Sequence, residues 1–286
     1  MATYEVEGKT YYIDGRLMNV LDKLVVPALE KKDKDAVFVV DGEERVGKSV
    51  FAMGVGNYVA HRLGTKFDLS NITLAPEEFR TRVMNAQKKE VIIYDEAHRG
   101  MASSRSLSEI NNILKDLMME MGQRNLFIIV VLPSFFLLDK YAALFRSRGL
   151  FHVYEKRGQR GFWCLFNRKY KLKLYQWGKK DLNYNCMRWP YFRGRFLDQY
   201  PIDETAYRAK KSESFTEKKR TTRGEVWMAQ RDHLVYILSV VTGFGEKKLT
   251  KLLNSHKFPL QHHQIGEILA KMKDRYEETD PIPAVI

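Results

Sequence analysis

A short β-branched run, Ala36–Val40, leads directly into Gly42-Glu43-Glu44-Arg45-Val46-Gly47-Lys48-Ser49, and a helical stretch, Ser49–Leu63, follows at once. Few folds accommodate G-x-x-x-x-G-K-[ST] between a strand and a helix. The two glycines let the loop curl so that successive backbone N–H groups point inward at an anion, with the positive end of the helix behind them. In that geometry Lys48 reaches the β- and γ-phosphates and the Ser49 hydroxyl ligates a divalent metal, with Val50 completing the cradle. The expected ligands of Gly42–Val50 are therefore ATP and Mg2+.

A second motif fits the first. Val91-Ile92-Ile93-Tyr94 reads as a buried strand and ends on Asp95-Glu96. A carboxylate at the end of a buried strand beside a phosphate loop can hold the metal shell, which assigns Asp95 to magnesium. Glu96 points elsewhere and is placed to polarise an attacking water as general base.

The rest of the chain alternates strands with helices. Tyr4–Ile13 reads as a hairpin around Gly8-Lys9. Leu17, Leu21, Leu24 and Ala28 recur at helical spacing, with Pro27 bending the helix. Asn71–Leu74 is a short strand and Pro76 opens a helix. Leu107, Ile110, Leu114, Leu117 and Met121 mark an amphipathic helix. Leu126–Leu132 is a buried strand, followed by a helix near Leu137–Phe145 and a strand at Leu150–Tyr154. Five strands between residues 36 and 154 imply an α/β fold, a five-stranded parallel sheet covered on both faces. The segmentation expected is an N-terminal hairpin and helix (1–35), the core (36–155), a basic aromatic extension and linker (156–224) and a C-terminal helical domain (225–286). That last part, with a turn at Gly243-Phe244-Gly245, resembles a helix-turn-helix unit.

A strand between the two motif strands, an Asp-Glu pair and two further strands resemble the P-loop division that carries an extra strand and a catalytic glutamate. That division includes the AAA+ ATPases, RecA-like motors and FtsK/HerA-type DNA pumps. The block from DEAHRG to FRSRGLFHVY is similar to the ATPase part of zonular-occludens-toxin-like proteins of phages and mobile elements. This resemblance implies that Ser134, after the Leu126–Leu132 strand, senses the γ-phosphate, although FtsK/HerA-type members carry glutamine there. Ser134 serves equally as an N-cap for Phe135–Leu138. The resemblance also nominates Arg148, Arg124 and Arg146 as arginine fingers offered to a neighbouring subunit of a ring such as a hexamer.

The net charge of +13 is local. Residues 156–224 hold 19 Lys and Arg against 6 Asp and Glu, and the remainder of the chain is neutral at 29 each. Such a field attracts a polyanion, most naturally DNA. Within it, Arg168, Lys169, Lys171, Lys173, Arg193 and Arg195 interleave with Trp163, Tyr170, Tyr175 and Trp177, so cations can track phosphates while rings stack on bases or pack a sheet. Residues 160–200 are expected to form hairpins, and 203–224 a linker. The longest apolar run, Leu126–Leu138, is 13 residues with a proline inside, too short to span a bilayer. With two cysteines in no ligand spacing, the expectation is a cytoplasmic protein without a membrane partner. The expected function is an oligomeric DNA-dependent ATPase of a virus, plasmid or mobile element. The alternative is an ATP-switched initiator or loader that binds DNA without translocating.

Overall fold

A computed structural model describes residues 2–95, 111–112, 124–184, 192–216, 223–256 and 260–277. The chain divides into two compact units, Met1–Thr216 and Glu217–Ile286. The Leu107–Met121 helix expectation lies almost entirely outside the described residues.

The first unit is built on strands β3 (Ala36–Asp41), β4 (Ile72–Thr73), β5 (Val91–Tyr94), β6 (Phe127–Val131) and β7 (Ser147–Lys156), all parallel. Two antiparallel strands, β8 (Gln159–Asn167) and β9 (Phe192–Arg195), continue the same sheet in the order β4-β5-β6-β3-β7-β8-β9. Parallel strands are covered on both faces and alternate between two apolar layers. Phe38, Val40, Val91, Ile93, Phe127 and Ile129 enter one core, and Val37, Val39, Ile92, Tyr94, Ile128 and Val130 enter the other. The register Val40↔Val131 and Tyr94↔Val130 makes β3, β6 and β5 end at one edge. Gly42, Asp95 and Ser134 all follow from that edge.

The first core is roofed by the N-terminal elements and the helix after the phosphate-type loop. Strands β1 (Ala2–Val6) and β2 (Lys9–Ile13) pair as expected, turning through Glu7 and Gly8 at positive φ. Asp14 then caps α1 (Gly15–Val20), its Oδ1 accepting from Arg16 N–H at 2.9 Å. A wider turn, Leu21–Val25, joins α1 to α2 (Val26–Glu30) next to Pro27. That extra-residue turn rotates the apolar stripe: Leu17, Leu21 and Ala28 are buried, whereas Leu24 is exposed. The long helix α3 (Lys48–Leu63) stops at Gly64, which takes the left-handed conformation. On the other face lies α4 (Pro76–Met84), with Pro76 in its first turn.

The structure differs from expectation in three segments. The helix near Leu137–Phe145 is two short pieces, a 3-10 turn at Phe135–Leu137 and a wide turn at Tyr141–Arg146. The basic aromatic stretch is not a set of hairpins, because Asn167 closes β8 and caps α5 (Arg168–Gly178), accepting from Tyr170 N–H at 3.1 Å. The buried positions of α5 are Lys171, Leu174 and Gly178, a helical spacing. In place of a linker, α6 (Glu204–Thr216) folds onto the first unit, its start capped by Asp203.

The second unit holds α7 (Arg223–Thr242), α8 (Glu246–Ser255) and α9 (His262–Glu277). They enclose a small core of Val235, Leu249, Leu260, Ile265, Ile268 and Met272, and Gly243 turns the chain at positive φ. Among the described residues no helix is long and apolar enough to cross a membrane.

Lys171 corrects the sequence reading. Its side chain is fully buried and its ammonium donates to Ala143 O at 2.5 Å, Ser147 O at 2.7 Å and Ser147 Oγ at 2.5 Å. It pins α5 to the start of β7 and has no surface to offer a nucleic acid. Burial, helped by the charge of Arg168, pulls its pKa down to about 7. An unfolded lysine titrates near ~10.4, so between pH 7 and 10 the unfolded chain holds more protons than the folded one. Stability contributed at this position therefore rises with pH across that window. Urea denaturation at pH 7, 8 and 9 should show wild type gaining about 1 kcal/mol per pH unit relative to Lys171→Met. Parallel curves for the two proteins would mean that the ammonium is not desolvated as described.

Candidate nucleotide site

Gly42 leaves β3 at φ +144, and a Cβ there would lie 2.0 Å from Val153 O, so only glycine lets the loop pass β7. Arg45 and Gly47 also take positive φ, and Gly47 is the left-handed residue from which α3 starts. Phe51 N–H to Gly47 O, at 3.0 Å, is the first bond of the helical ladder. The amides of Lys48, Ser49 and Val50 are thus the unpaired donors of a helix start. Glu43, Glu44, Arg45 and Val46 form the arch between the two glycines. Lys48 Nζ folds back onto that arch, donating to Gly42 O at 2.8 Å and Glu43 O at 2.5 Å. Burial lowers its pKa, opposed by Asp41 and Asp95.

The two sequence motifs meet. Ser49 Oγ donates to Asp95 Oδ1 at 3.0 Å, although the residues are 46 positions apart. Asp95 is buried, and its backbone N–H donates to Thr73 O at 2.9 Å. Its other oxygen, Oδ2, accepts from the Tyr207 hydroxyl and faces Lys211 Nζ at 3.5 Å. Burial, then the Asp95 charge, raises the Tyr207 phenol far above its ordinary value, so it stays protonated and donates to Asp95. A hydroxyl and a carboxylate are hard oxygen donors that suit a small divalent cation keeping most of its waters. Glu96 lies outside the described residues.

A second buried carboxylate, Asp41, closes β3. Its Oδ1 accepts from His152 Nδ1 at 2.9 Å, and its Oδ2 accepts from Phe135 N–H at 2.8 Å and from the Tyr184 hydroxyl. Ser134 Oγ lies 3.1 Å from the Tyr184 oxygen and caps Phe136 N–H at 3.4 Å. The His152 and Tyr184 rings stack with centroids 4.0 Å apart. Together they line a cleft of about 730 Å³ that also borders Gly42 and Glu43. Ser134 therefore stands at the edge where β3, β6 and β5 end, and acts there as a cap.

The finger candidates lie at the opposite end of the sheet. Arg148 is level with Val37 and Phe38, near the start of β3, and burial lowers its pKa against the opposing charge of Asp35. Arg146 pairs with Asp35 at 3.4 Å. Arg124 Nη1 donates to the carbonyls of Val83 (3.3 Å), Met84 and Ala86 (3.1 Å), closing the end of α4. Six strand residues span roughly 20 Å, so none of these arginines reaches its own chain's loop.

Of the cations expected on nucleic acid, Arg168 and Lys169 are exposed on α5. Lys173, one turn on, lies 5.5 Å over the exposed Trp177 ring. Arg193 and Arg195 are exposed on β9, which pairs with β8 at one end of the sheet order, and Arg195 lies 5.0 Å over Phe162. Sequence reasoning missed Asp41, His152, Tyr184, Tyr207 and Lys211. Only Asp41 carried a signal, as an acid immediately before Gly42. The others are brought in by strand pairing and by α6.

The chain matches no protein-family model and no curated protein, so the resemblance drawn from its motifs rests on those residues alone.

The close approach at Gly42 has a measurable consequence. Gly42→Ala should destabilise the protein by about 2 kcal/mol or more, because the contact is with backbone and cannot rotate away. Gly54, in the middle of α3, has nothing within 4 Å of an added Cβ, so Gly54→Ala should stabilise by about 0.5–1 kcal/mol. Similar denaturation midpoints for the two variants would contradict the geometry at Val153.

Proposed function

We propose that the chain is a Mg-ATP-dependent ATPase acting as an oligomeric, DNA-dependent motor of the kind carried by viruses, plasmids and mobile elements. The observation that carries the first part is the Ser49–Asp95 bond across an inserted strand, since β6 separates β3, which leads into the loop and α3, from β5, which ends at Asp95. This places a hydroxyl and a carboxylate together beside a helix start with unpaired amides. The loop amides and Lys48 bind the triphosphate, the ammonium exchanging two loop carbonyls for phosphate oxygens. Ser49 and Asp95 would hold Mg2+, which neutralises phosphate charge when bound. Glu96 is proposed to orient and deprotonate the attacking water, and Ser134 to contact the terminal phosphate. A finger role for Arg148 or Arg146 is open only in trans, toward a second copy. Arg124 has its guanidinium committed to α4.

The division of labour is testable. Lys48→Ala should lose binding of a fluorescent ATP analogue. Glu96→Gln should keep that binding while single-turnover hydrolysis falls by roughly 10²–10⁴. Equal loss of binding in both variants would remove Glu96 from the mechanism.

The DNA part rests on the exposed cations and rings of α5 and β9. A phosphate-directed interface of about six contacts gives a log–log salt slope near −5 on duplex DNA. Glutamate at Arg168, Lys169 and Lys173 should weaken binding to two unrelated duplexes alike and leave DNA-free ATPase intact. The initiator reading is favoured by a separate observation: the second unit has its own core and exposes Lys247, Lys248 and Lys251 on α8. It expects a shallow slope, one preferred site, and loss of that preference when residues 226–286 are deleted. Binding to neither duplex at low salt would end both DNA readings.

A further inference from the structure

Helix α6 is seated on the nucleotide site by polar anchors. Lys210 Nζ donates to Ile72 O at 2.5 Å and pairs with Glu78 at 2.7 Å, which fixes the helix to β4 and α4. One turn before Lys211, Tyr207 is 3% exposed and its hydroxyl donates to Asp95 Oδ2. Lys211 Nζ sits 3.5 Å from the same oxygen and 3.3 Å from the Tyr207 hydroxyl. Just upstream, the Phe196 ring packs against Gly47, where a Cβ would lie 3.1 Å from it, and edge-on against Phe51 at 5.2 Å. A segment far along the chain thus touches the loop, the helix behind it and the metal-type carboxylate.

These contacts answer a physical need. A carboxylate as buried as Asp95 is costly unless it is paired. Ser49 satisfies Oδ1, and Tyr207 with Lys211 satisfies Oδ2. A hydrated divalent cation would require the same carboxylate, and its charge would repel the Lys211 ammonium.

We propose that α6 is a latch competing with the metal: Tyr207 and Lys211 hold the Asp95 carboxylate in place of hydrated Mg2+, so a seated α6 and a bound metal–nucleotide complex exclude one another. The proposal rests on reading Gly42–Ser49 as a triphosphate loop. Metal–nucleotide binding then frees the C-terminal helix of the first unit.

The test uses the full chain, a fluorescent ATP analogue and a Mg2+ titration. Tyr207→Phe keeps the ring and removes the donor, while Lys211→Met removes the charge at a partly exposed position. Each should lower the Mg2+ concentration for half-maximal nucleotide binding by about tenfold, as loss of one charge-assisted contact allows. Arg208→Gln, which alters the exposed pair with Glu204 and the contact with Tyr200 but nothing at Asp95, should leave it unmoved. In wild type, amide hydrogen exchange across residues 204–216 should accelerate when Mg2+ and nucleotide are added together, and not with either alone. Unmoved midpoints in both variants, or slower exchange in 204–216, overturn the latch while the nucleotide reading stands, provided wild type binds and Lys48→Ala does not. If wild type binds no Mg-nucleotide at any concentration, the nucleotide reading fails and the latch falls with it.

Discussion

Burial of two carboxylates at the end of one parallel sheet governs the arrangement around the loop. Asp41 and Asp95 close β3 and β5, and both are almost fully withdrawn from solvent. A buried carboxylate must collect donors or protonate, and each collects them from distant chain segments. Asp41 draws in the amide of Phe135 after β6, the imidazole of His152 and the phenol of Tyr184. Asp95 draws in Ser49, Tyr207 and Lys211. The glycine-rich arch between Gly42 and Gly47 is therefore flanked by two polar hubs. The register that ends β3, β6 and β5 together sets their positions.

The parallel core was legible because each of its strands advertises itself by a run of β-branched or apolar residues, and because the loop after β3 has a spacing that only one backbone path satisfies. The hairpin, the Pro76 helix and the three C-terminal helices were legible for similar reasons of turn chemistry and period. Helix α5 was not, because the first residue of its buried face is Lys171, and a lysine in a core position breaks the apolar period. Helix α6 was hidden for a related reason. It is held by Tyr207, Lys210 and Lys211, whose partners are carboxylates and a carbonyl, so little apolar stripe betrays which side packs. The role of His152 depends on lying opposite Asp41 in the β3–β7 pairing, information that no local window contains.

The charge excess shows the same limit from another side. Counting placed the whole surplus in residues 156–224 and invited a uniform assignment to a polyanion. The structure divides those cations among different tasks. Lys171 ties α5 to β7, Lys210 and Lys211 hold α6 against Glu78 and Asp95, and Arg208 pairs with Glu204 within its own helix. Arg168, Lys169, Arg193 and Arg195 remain exposed, with Lys173 beside Trp177. Lys156, Arg157, Arg160, Lys179 and Lys180 are exposed as well, so among the described residues the surface cations are fewer than the count implies but spread over several elements.

That division changes how nucleotide chemistry would reach the basic segment. Tyr184 follows α5 and leans on Asp41, and Tyr207 lies beyond β9 and leans on Asp95. Strand β9, with its exposed Arg193 and Arg195, therefore lies between two points fastened to the carboxylates on either side of the phosphate-type loop. Both attachments are phenol-to-carboxylate hydrogen bonds, which depend on the charge each acid carries and on what else competes for it. On the proposed latch, a cation at Asp95 would compete with the second fastening, while the first is also held by the His152 and Phe135 bonds to Asp41. The asymmetry lies in the kind of partner, since each acid has three protein donors, but those of Asp41 are an amide, an imidazole and a phenol, whereas Asp95 shares its second oxygen between a phenol and an ammonium.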